Sequence, residues 1–415
     1  MSEAHVPVVA APDAGIREHL QEYVDRVRGG DVGALPAILG ITALVVVFTS
    51  LDSVFFTPLN FANLFVQGAA VTAIAMGLVF VLLLGEIDLS AGFASGVCGA
   101  VLATLLAKQG YPWYVAVAGA VVTGIVIGLV LGTLVAKVGI PSFVVTLAAF
   151  LALQGTVLKI IGVGGNVSIR DSVILSIANK NVAPWLGWVI WLVGSLAMAG
   201  LALYSATSRR RRGLVAPPIS VVALRVGSVV LLAGLAVYVL NQERSRNPDF
   251  ASLRGIPIVV PVLLVLLIVL TFVLSRTSYG RHVYAVGGNA EAARRAGINV
   301  ARIRTSVFVI GSTMAAVGGI IAASRANSVD PNAGGSNTLL YAVGAAVIGG
   351  TSLFGGKGKV RDAILGGAVI AVIDNGMGLL GYTAGTKFIV TGLVLLLAAG
   401  VDAVSRRRAS SSGRV

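Results

Sequence analysis

Residues 66–107 read VQGAAVTAIAMGLVFVLLLGEIDLSAGFASGVCGAVLATLLA, two uncharged apolar runs (66–84 and 91–107) joined by a break that holds Glu86 and Asp88. A helix needs about 20 mainly apolar residues to cross a bilayer core, and each run approaches that length. Carboxylates set between two such runs are costly in lipid and call for a specific reason. Gly85 and Gly92 bracket the motif, so the helix is expected to break there. In an extended stretch Glu86, Asp88 and Ser90 share one face. Two readings stand: a polar lining of a path or gate, or a network capping broken helix ends at the cytoplasmic edge.

The rest of the chain has the same character. Of 415 residues, 56% are apolar and 12% charged, and the mean hydropathy is +0.93. A soluble chain carries about twice that charged fraction. The 52 glycines suit transmembrane helices that pack closely or break. Cys98, the one cysteine, lies inside the run 91–107 and reads as a small packing residue. A net charge of +14 would point a soluble protein towards nucleic acid. Here most Lys and Arg lie in short loops, so the positive-inside rule explains them and no nucleic-acid partner is expected.

Twelve apolar stretches qualify as spans: 36–52, 66–84, 91–107, 114–136, 142–162, 186–206, 220–240, 257–275, 304–323, 338–350, 362–381 and 388–404. The stretch 338–350 is short enough for a re-entrant or broken helix. The expected fold is therefore all-α and polytopic, with about ten to twelve transmembrane helices and some broken segments. With the N-terminus in the cytoplasm, 22 of the 31 Lys and Arg fall inside, which places both termini there. Residues 1–35 lack the apolar core of a signal peptide, so the first run is expected to stay as an anchor. Within this tail Asp13 can cap a helix carrying Ile16, Leu20, Tyr23, Val24 and Val27 on one face, suited to the membrane surface. The expected organisation is a tail (1–35), a membrane domain (36–404) and a basic tail (405–415).

The longest charged loop, 276–304, reads RTSYGRHVYAVGGNAEAARRAGINVARIR and falls on the cytoplasmic side. Asn289 can cap a helix from Ala290, with Glu291 in its first turn and Arg294 and Arg295 in its last. Gly297 can take the left-handed position that closes it. Such a helix fits a groove on another protein, or serves as a plain connector.

This loop resembles the coupling loop of permeases from the ribose, xylose and autoinducer-2 branch of bacterial ABC importers. The resemblance continues through SVFVIGSTMAAVGGIIAASR, VIGGTSLFGGKG (347–358) and DNGMGLLG (374–381). In the first half it includes GEIDLSAG (85–92) and GIPSFVVTLAAFLALQG (139–155), so it covers most of the chain from about residue 55. The extra pair of spans around 206–256, entered through SRRRRG, is most similar to xylose-type members. Leu339, Leu340 and Tyr341 replace a common acidic stretch, and Asp362 stands where small residues are usual.

The resemblance implies a permease subunit in the bacterial inner membrane, moving a monosaccharide such as xylose by alternating access. It implies a second permease copy, a cytoplasmic ABC ATPase that holds ATP and Mg, and an extracytoplasmic sugar-binding protein, with membrane lipid around the assembly. It assigns ATPase coupling to Gly280, Arg281, Gly288, Asn289, Glu291, Ala292, Ala293, Arg294 and Gly297. The chain shows no phosphate loop of its own: in GGKGK (355–359) neither Lys is followed by Ser or Thr. No cofactor or catalytic residue is expected on it. His5, His19 and His282 lie outside the spans and form no metal pattern.

Candidate path residues are Glu86, Asp88, Ser90, Gln154, Asp374 and Asn375. For Asp374 and Asn375, packing against Lys387 or Arg325 is the competing reading, and for Gln154 an interhelical hydrogen bond. Trp185, Trp188, Trp191 and Tyr204 read as interface anchors. GEIDLSAG and IGGTSLFGGKG both follow apolar runs on one membrane side, a faint sign of a parallel pseudo-repeat. The competing function is a self-sufficient ion-coupled transporter, for which Glu86, Asp88 and Asp374 supply titratable groups. Such a protein has no use for a coupling loop.

Overall fold

A computed structural model describes residues 35–162, 165–214, 218–245, 247–249 and 252–411. The tail helix expected from Asp13 lies outside these residues. The described chain is helical apart from two short strands and forms two compact units, Ala34–Asn181 with Pro257–Asp402, and one that includes Val182–Ile256.

The larger unit opens with α1 (Leu35–Leu51), a single 3-10 turn (Ser53–Phe56) and α2 (Pro58–Leu83). Helix α2 starts eight residues before the apolar run at 66, because the Thr57 hydroxyl caps it and Pro58 fits its first position. Next come α3 (Ala91–Ala103, continued by a π turn to Lys108), α4 (Trp113–Thr133, with a π turn to Val138), α5 (Ser142–Ile161), β1 (Val167–Ser168) and α6 (Ser172–Asn179). The smaller unit contributes α7 (Pro184–Arg211) and α8 (Ile219–Leu240). The larger unit resumes with α9 (Val259–Arg276), α10 (Ser278–Gly288), α11 (Ala290–Arg295), α12 (Val300–Ala326) and β2 (Ser328–Val329). It ends with α13 (Ser336–Ile348), α14 (Val360–Leu379) and α15 (Ala384–Ser411).

Among the described residues nine helices are long and apolar enough to cross a membrane, and three shorter apolar helices accompany them. Together these are the twelve apolar stretches of the sequence. Their ends differ: α7 and α15 run on through their arginines, since Lys and Arg are good helix formers and favour a C-terminal turn.

Helix α12 sits at the centre of the larger unit, packed against α2, α3 and α4. Gly124, Gly128 and Gly132 repeat every fourth residue along α4 and let the two backbones meet. A Cβ on Gly128 would stand 2.5 Å from the Cα of Val309, and one on Gly132 2.7 Å from that of Thr305. The short helix α13 owes its length to the segment before it. Val329 pairs antiparallel with Val167, and the chain then runs along α3 so closely that a Cβ on Gly96 would overlap the Ala333 carbonyl. Only then does α13 begin, which is the broken helix expected at 338–350.

In the smaller unit α7 and α8 lie antiparallel. The Trp191 indole N–H donates to the Val230 carbonyl (3.0 Å), its ring covers Gly234, and Trp188 meets it edge-on at 5.6 Å. Trp191 is thus a packing residue between the two helices rather than an interface anchor, whereas Trp185 and Tyr204 are exposed. The connection from α8 to α9 is a tied loop. Arg244 is buried and donates to the carbonyls of Leu240 (2.7 Å) and Gly255 (2.9 Å).

Candidate functional site

The segment 277–304 forms three capped helices in a row. The Thr277 hydroxyl accepts from the Gly280 N–H (3.2 Å), and a Cβ on Gly280 would collide with the Leu274 carbonyl. That glycine is what folds α10 back on the end of α9. Asn289 caps α11 by accepting from the Ala292 N–H (2.9 Å). At the other end Gly297 has φ +84°, its N–H donates to Arg294 (3.0 Å), and the Ile298 N–H donates to Ala293 (3.0 Å). This is a complete Schellman closure. Asn299 then caps α12 by accepting from the Arg302 N–H (2.9 Å). Ala293 is buried, while Glu291 pairs with Arg294 (3.0 Å) and Arg295 (3.3 Å) on an exposed face. Beside α11 a groove of about 430 Å³ is lined by Arg294, Gly297, Asn299 and Arg304 among others. Arg281 and Gly288 are exposed or partly exposed at the surface of α10.

The base of this segment is fused to the end of α2. A Cβ on Gly287 would overlap the Leu83 carbonyl, and that carbonyl accepts from the Gly356 N–H (2.8 Å). The Tyr284 hydroxyl donates to the Gly358 carbonyl (2.7 Å). Asp362 organises the same glycine loop by accepting from the Lys359 N–H (2.7 Å) and the Thr351 hydroxyl (3.3 Å). The motifs 85–92 and 347–358 therefore pack on one another: a Cβ on Gly355 would stand 2.9 Å from the Gly85 nitrogen.

Glu86, Asp88 and Ser90 belong to this junction. Glu86 pairs with Arg304 Nε (3.2 Å), with both side chains largely covered. Asp88 is buried, and its Oδ1 accepts from the Ser90 N–H (2.8 Å) and hydroxyl (2.6 Å). Its Oδ2 is buried with no hydrogen-bond partner among the described residues. The flanking Ile87 is tied to α5, its N–H donating to Ser142 Oγ (3.3 Å) and its carbonyl accepting from Thr146 Oγ1 (3.2 Å).

Asp374 and Asn375 lie elsewhere and diverge from each other. Asn375 exchanges two amide hydrogen bonds with Asn60 (2.9 Å each) and donates to Gln67 Oε1 (3.2 Å). Asp374 faces α15 and pairs with Lys387 (3.3 Å). Since Asn60 and Leu83 stand at the two ends of α2, the two polar groups are roughly 35 Å apart at 1.5 Å per residue. Gln154 on α5 is half-buried and makes no side-chain hydrogen bond among the described residues.

A family model described as "Branched-chain amino acid transport system / permease component" matches residues 60–399. The chain belongs to this permease family. The xylose transport system permease protein XylH of Escherichia coli K12 is 35% identical over 374 residues, covering 89% of this chain and 92% of its own. XylH of Haemophilus influenzae is 34% identical over 371 residues, with 88% and 95% covered. The ribose import permease protein RbsC of Bacillus subtilis is 29% identical over 386 residues, with 93% and 98% covered. No solved structure matches the permease.

Three side chains of the permease's polar groups were not singled out from sequence. Asn60 and Gln67 stand in TPLNFANLFVQG, where amides beside an apolar run are a usable signal. Arg304 counted only as a loop cation, and nothing in its neighbourhood announces a partner more than two hundred residues away.

Proposed function

We propose that this permease is the membrane subunit of an ATP-driven importer for xylose or a similar monosaccharide. Family membership supports the transport role, and the full-length xylose and ribose permeases among its relatives support the cargo. The single observation that carries the coupling is α11, a helix capped at both ends that presents Glu291, Arg294 and Arg295 to the outside. A cytoplasmic ABC ATPase, which holds ATP and Mg, docks on this helix and its neighbouring groove. The distribution of Lys and Arg supports a cytoplasmic position for that face and for both termini, in the bacterial inner membrane.

In this reading ATP closes the ATPase and α11 moves with it. The motion reaches α2 through the Gly287–Leu83 contact and α12 through Asn299, and two permease copies open towards an extracytoplasmic sugar-binding protein. Glu86, Asp88 and Ser90 lie where this motion arrives, so they act at the inner end of the path. Asp374 and Asn375 act at the outer end. Gln154 on α5, without a side-chain hydrogen bond among the described residues, offers its amide to passing hydroxyls.

The test is uptake of labelled xylose into cells that lack their own pentose importers and carry this permease with its ATPase and binding protein. Accumulation should require all three and fail with an ATPase unable to hydrolyse ATP. Accumulation by the permease alone would overturn the proposal.

A further inference from the structure

The hairpin α7–α8 carries one arginine whose depth in its helix membrane orientation does not account for. Residues 172–242 contain no Asp or Glu, yet they include Arg209, Arg210, Arg211, Arg212 and Arg225, all exposed. A run of arginines at the end of a span is what orientation requires. Arg225 is different. It lies six residues inside α8, an otherwise uncharged apolar helix, and faces outward. A lipid-facing guanidinium at that depth must rise along the helix to reach the polar headgroups.

The geometry of the hairpin says what it meets there. Helix α7 has 28 residues and α8 has 22. They end level at one side, where the Asn241 amide donates to the Pro184 carbonyl (3.4 Å). The six extra residues of α7 therefore overhang at the arginine end, by about 9 Å at 1.5 Å per residue. Tyr204, exposed near the root of the overhang, is the kind of side chain that marks the headgroup level. Arg209–Arg212 hang over that level from one side, and Arg225 rises to it from about 9 Å below the start of α8. Four consecutive arginines cover the whole circumference of a helix, so at least one faces the flank that holds Arg225. With the helices level at residues 184 and 240, Arg225 stands opposite position 199 of α7, about 15 Å along the axis from Arg209 and about 20 Å from Arg212, a gap that extended arginine side chains close only with a phosphate group between them.

We propose that this end of the hairpin binds the phosphate of an anionic phospholipid headgroup, clamped between Arg225 and the Arg209–Arg212 overhang. A planar guanidinium suits phosphate oxygens better than an ammonium does, and two of them on opposite sides favour a lipid with net negative charge over a zwitterionic one. The acyl chains lie along the exposed apolar flank of α8 (Leu224, Leu231, Leu232).

Native mass spectrometry of the full chain, incubated with equal amounts of phosphatidylglycerol and phosphatidylcholine of the same chain length, tests the site. The wild type should retain phosphatidylglycerol about fivefold or more over phosphatidylcholine. Arg225→Gln leaves the orienting run intact and should bring that ratio most of the way to one. Arg225→Lys should keep part of it, and Arg209→Gln with Arg212→Gln should weaken it independently. Equal retention of both lipids by the wild type would overturn the proposal, as would a preference untouched by every variant. Loss of the bound lipid to millimolar inorganic phosphate would assign the arginines to a free anion instead.

Discussion

The pair Glu86–Arg304 is the point where the loop after α2 meets the first turns of α12. Removing one partner of a mostly covered pair leaves an uncompensated charge, so either neutralisation costs more than the pair is worth. Glu86→Gln should leave ATPase co-purification intact and lower ATP-driven uptake by roughly tenfold, and Arg304→Gln should lower uptake at least as much. The exchange Glu86→Arg with Arg304→Glu should recover most of that loss, and an exchange worse than either single change would count against a pairwise role. On the connection between α8 and α9, Glu243 accepts from the N–H groups of Leu253 (2.9 Å) and Ser245 (3.0 Å) and from the Ser252 hydroxyl (2.7 Å). These donors hold its carboxyl down to about 2. A depressed carboxyl contributes stability above its ordinary value of 4.5 and loses it as pH falls towards 2. Hydrogen exchange at the Leu253 amide should therefore be slow at neutral pH and accelerate between about pH 4.5 and 2 beyond the intrinsic pH trend. In Glu243→Gln the extra acceleration should vanish.

Helix α11 shows how local chemistry alone can set an element. Its cap at Asn289, its charge order and its closing glycine were all legible in NAEAARRAG, because each acts within four residues. Asn289→Ala should cost the helix about 1 kcal/mol. Gly297→Val is more severe, since a β-branched residue at φ +84° is strained by roughly 1–2 kcal/mol and the Schellman closure opens. Both variants should insert normally and bind the ATPase more weakly in pull-downs, Gly297→Val the more so; full binding by both would remove α11 from the docking surface. Helix ends elsewhere were less legible. The apolar criterion placed the second span at 66, whereas the cap at Thr57 and the proline at 58 start α2 much earlier. Contacts between distant segments were not legible at all. Gly287 against Leu83 and Asn375 against Asn60 join stretches far apart in sequence, and no residue in either stretch encodes the other's position.

At the scale of the larger unit, polar chemistry is concentrated at the two ends of α2. The length between is packed by glycines, alanines and aliphatic side chains against α12. A Cβ on Gly77 would stand 3.1 Å from the Cα of Gly311, and one on Gly318 2.9 Å from the Ala70 carbonyl oxygen, so the backbones of α2 and α12 approach too closely for side chains between them there. Two helices packed this tightly move as one body, because side chains at close-packed density leave no soft layer between them. The junction at Glu86 and the amide cluster at Asn375, at opposite ends of α2, are then linked through rigid displacement of that helix rather than through a chain of titratable groups. This has a measurable consequence in a double-mutant cycle of Glu86→Gln with Asn375→Ala. For unfolding stability the sites are far beyond direct contact, so their effects should add to within about 0.5 kcal/mol. For ATP-driven uptake, where one movement of α2 would displace both ends, the combined loss should differ from the product of the single losses by about fivefold or more. Additivity in both measurements would mean that the two ends act separately and that α2 does not carry the motion between them.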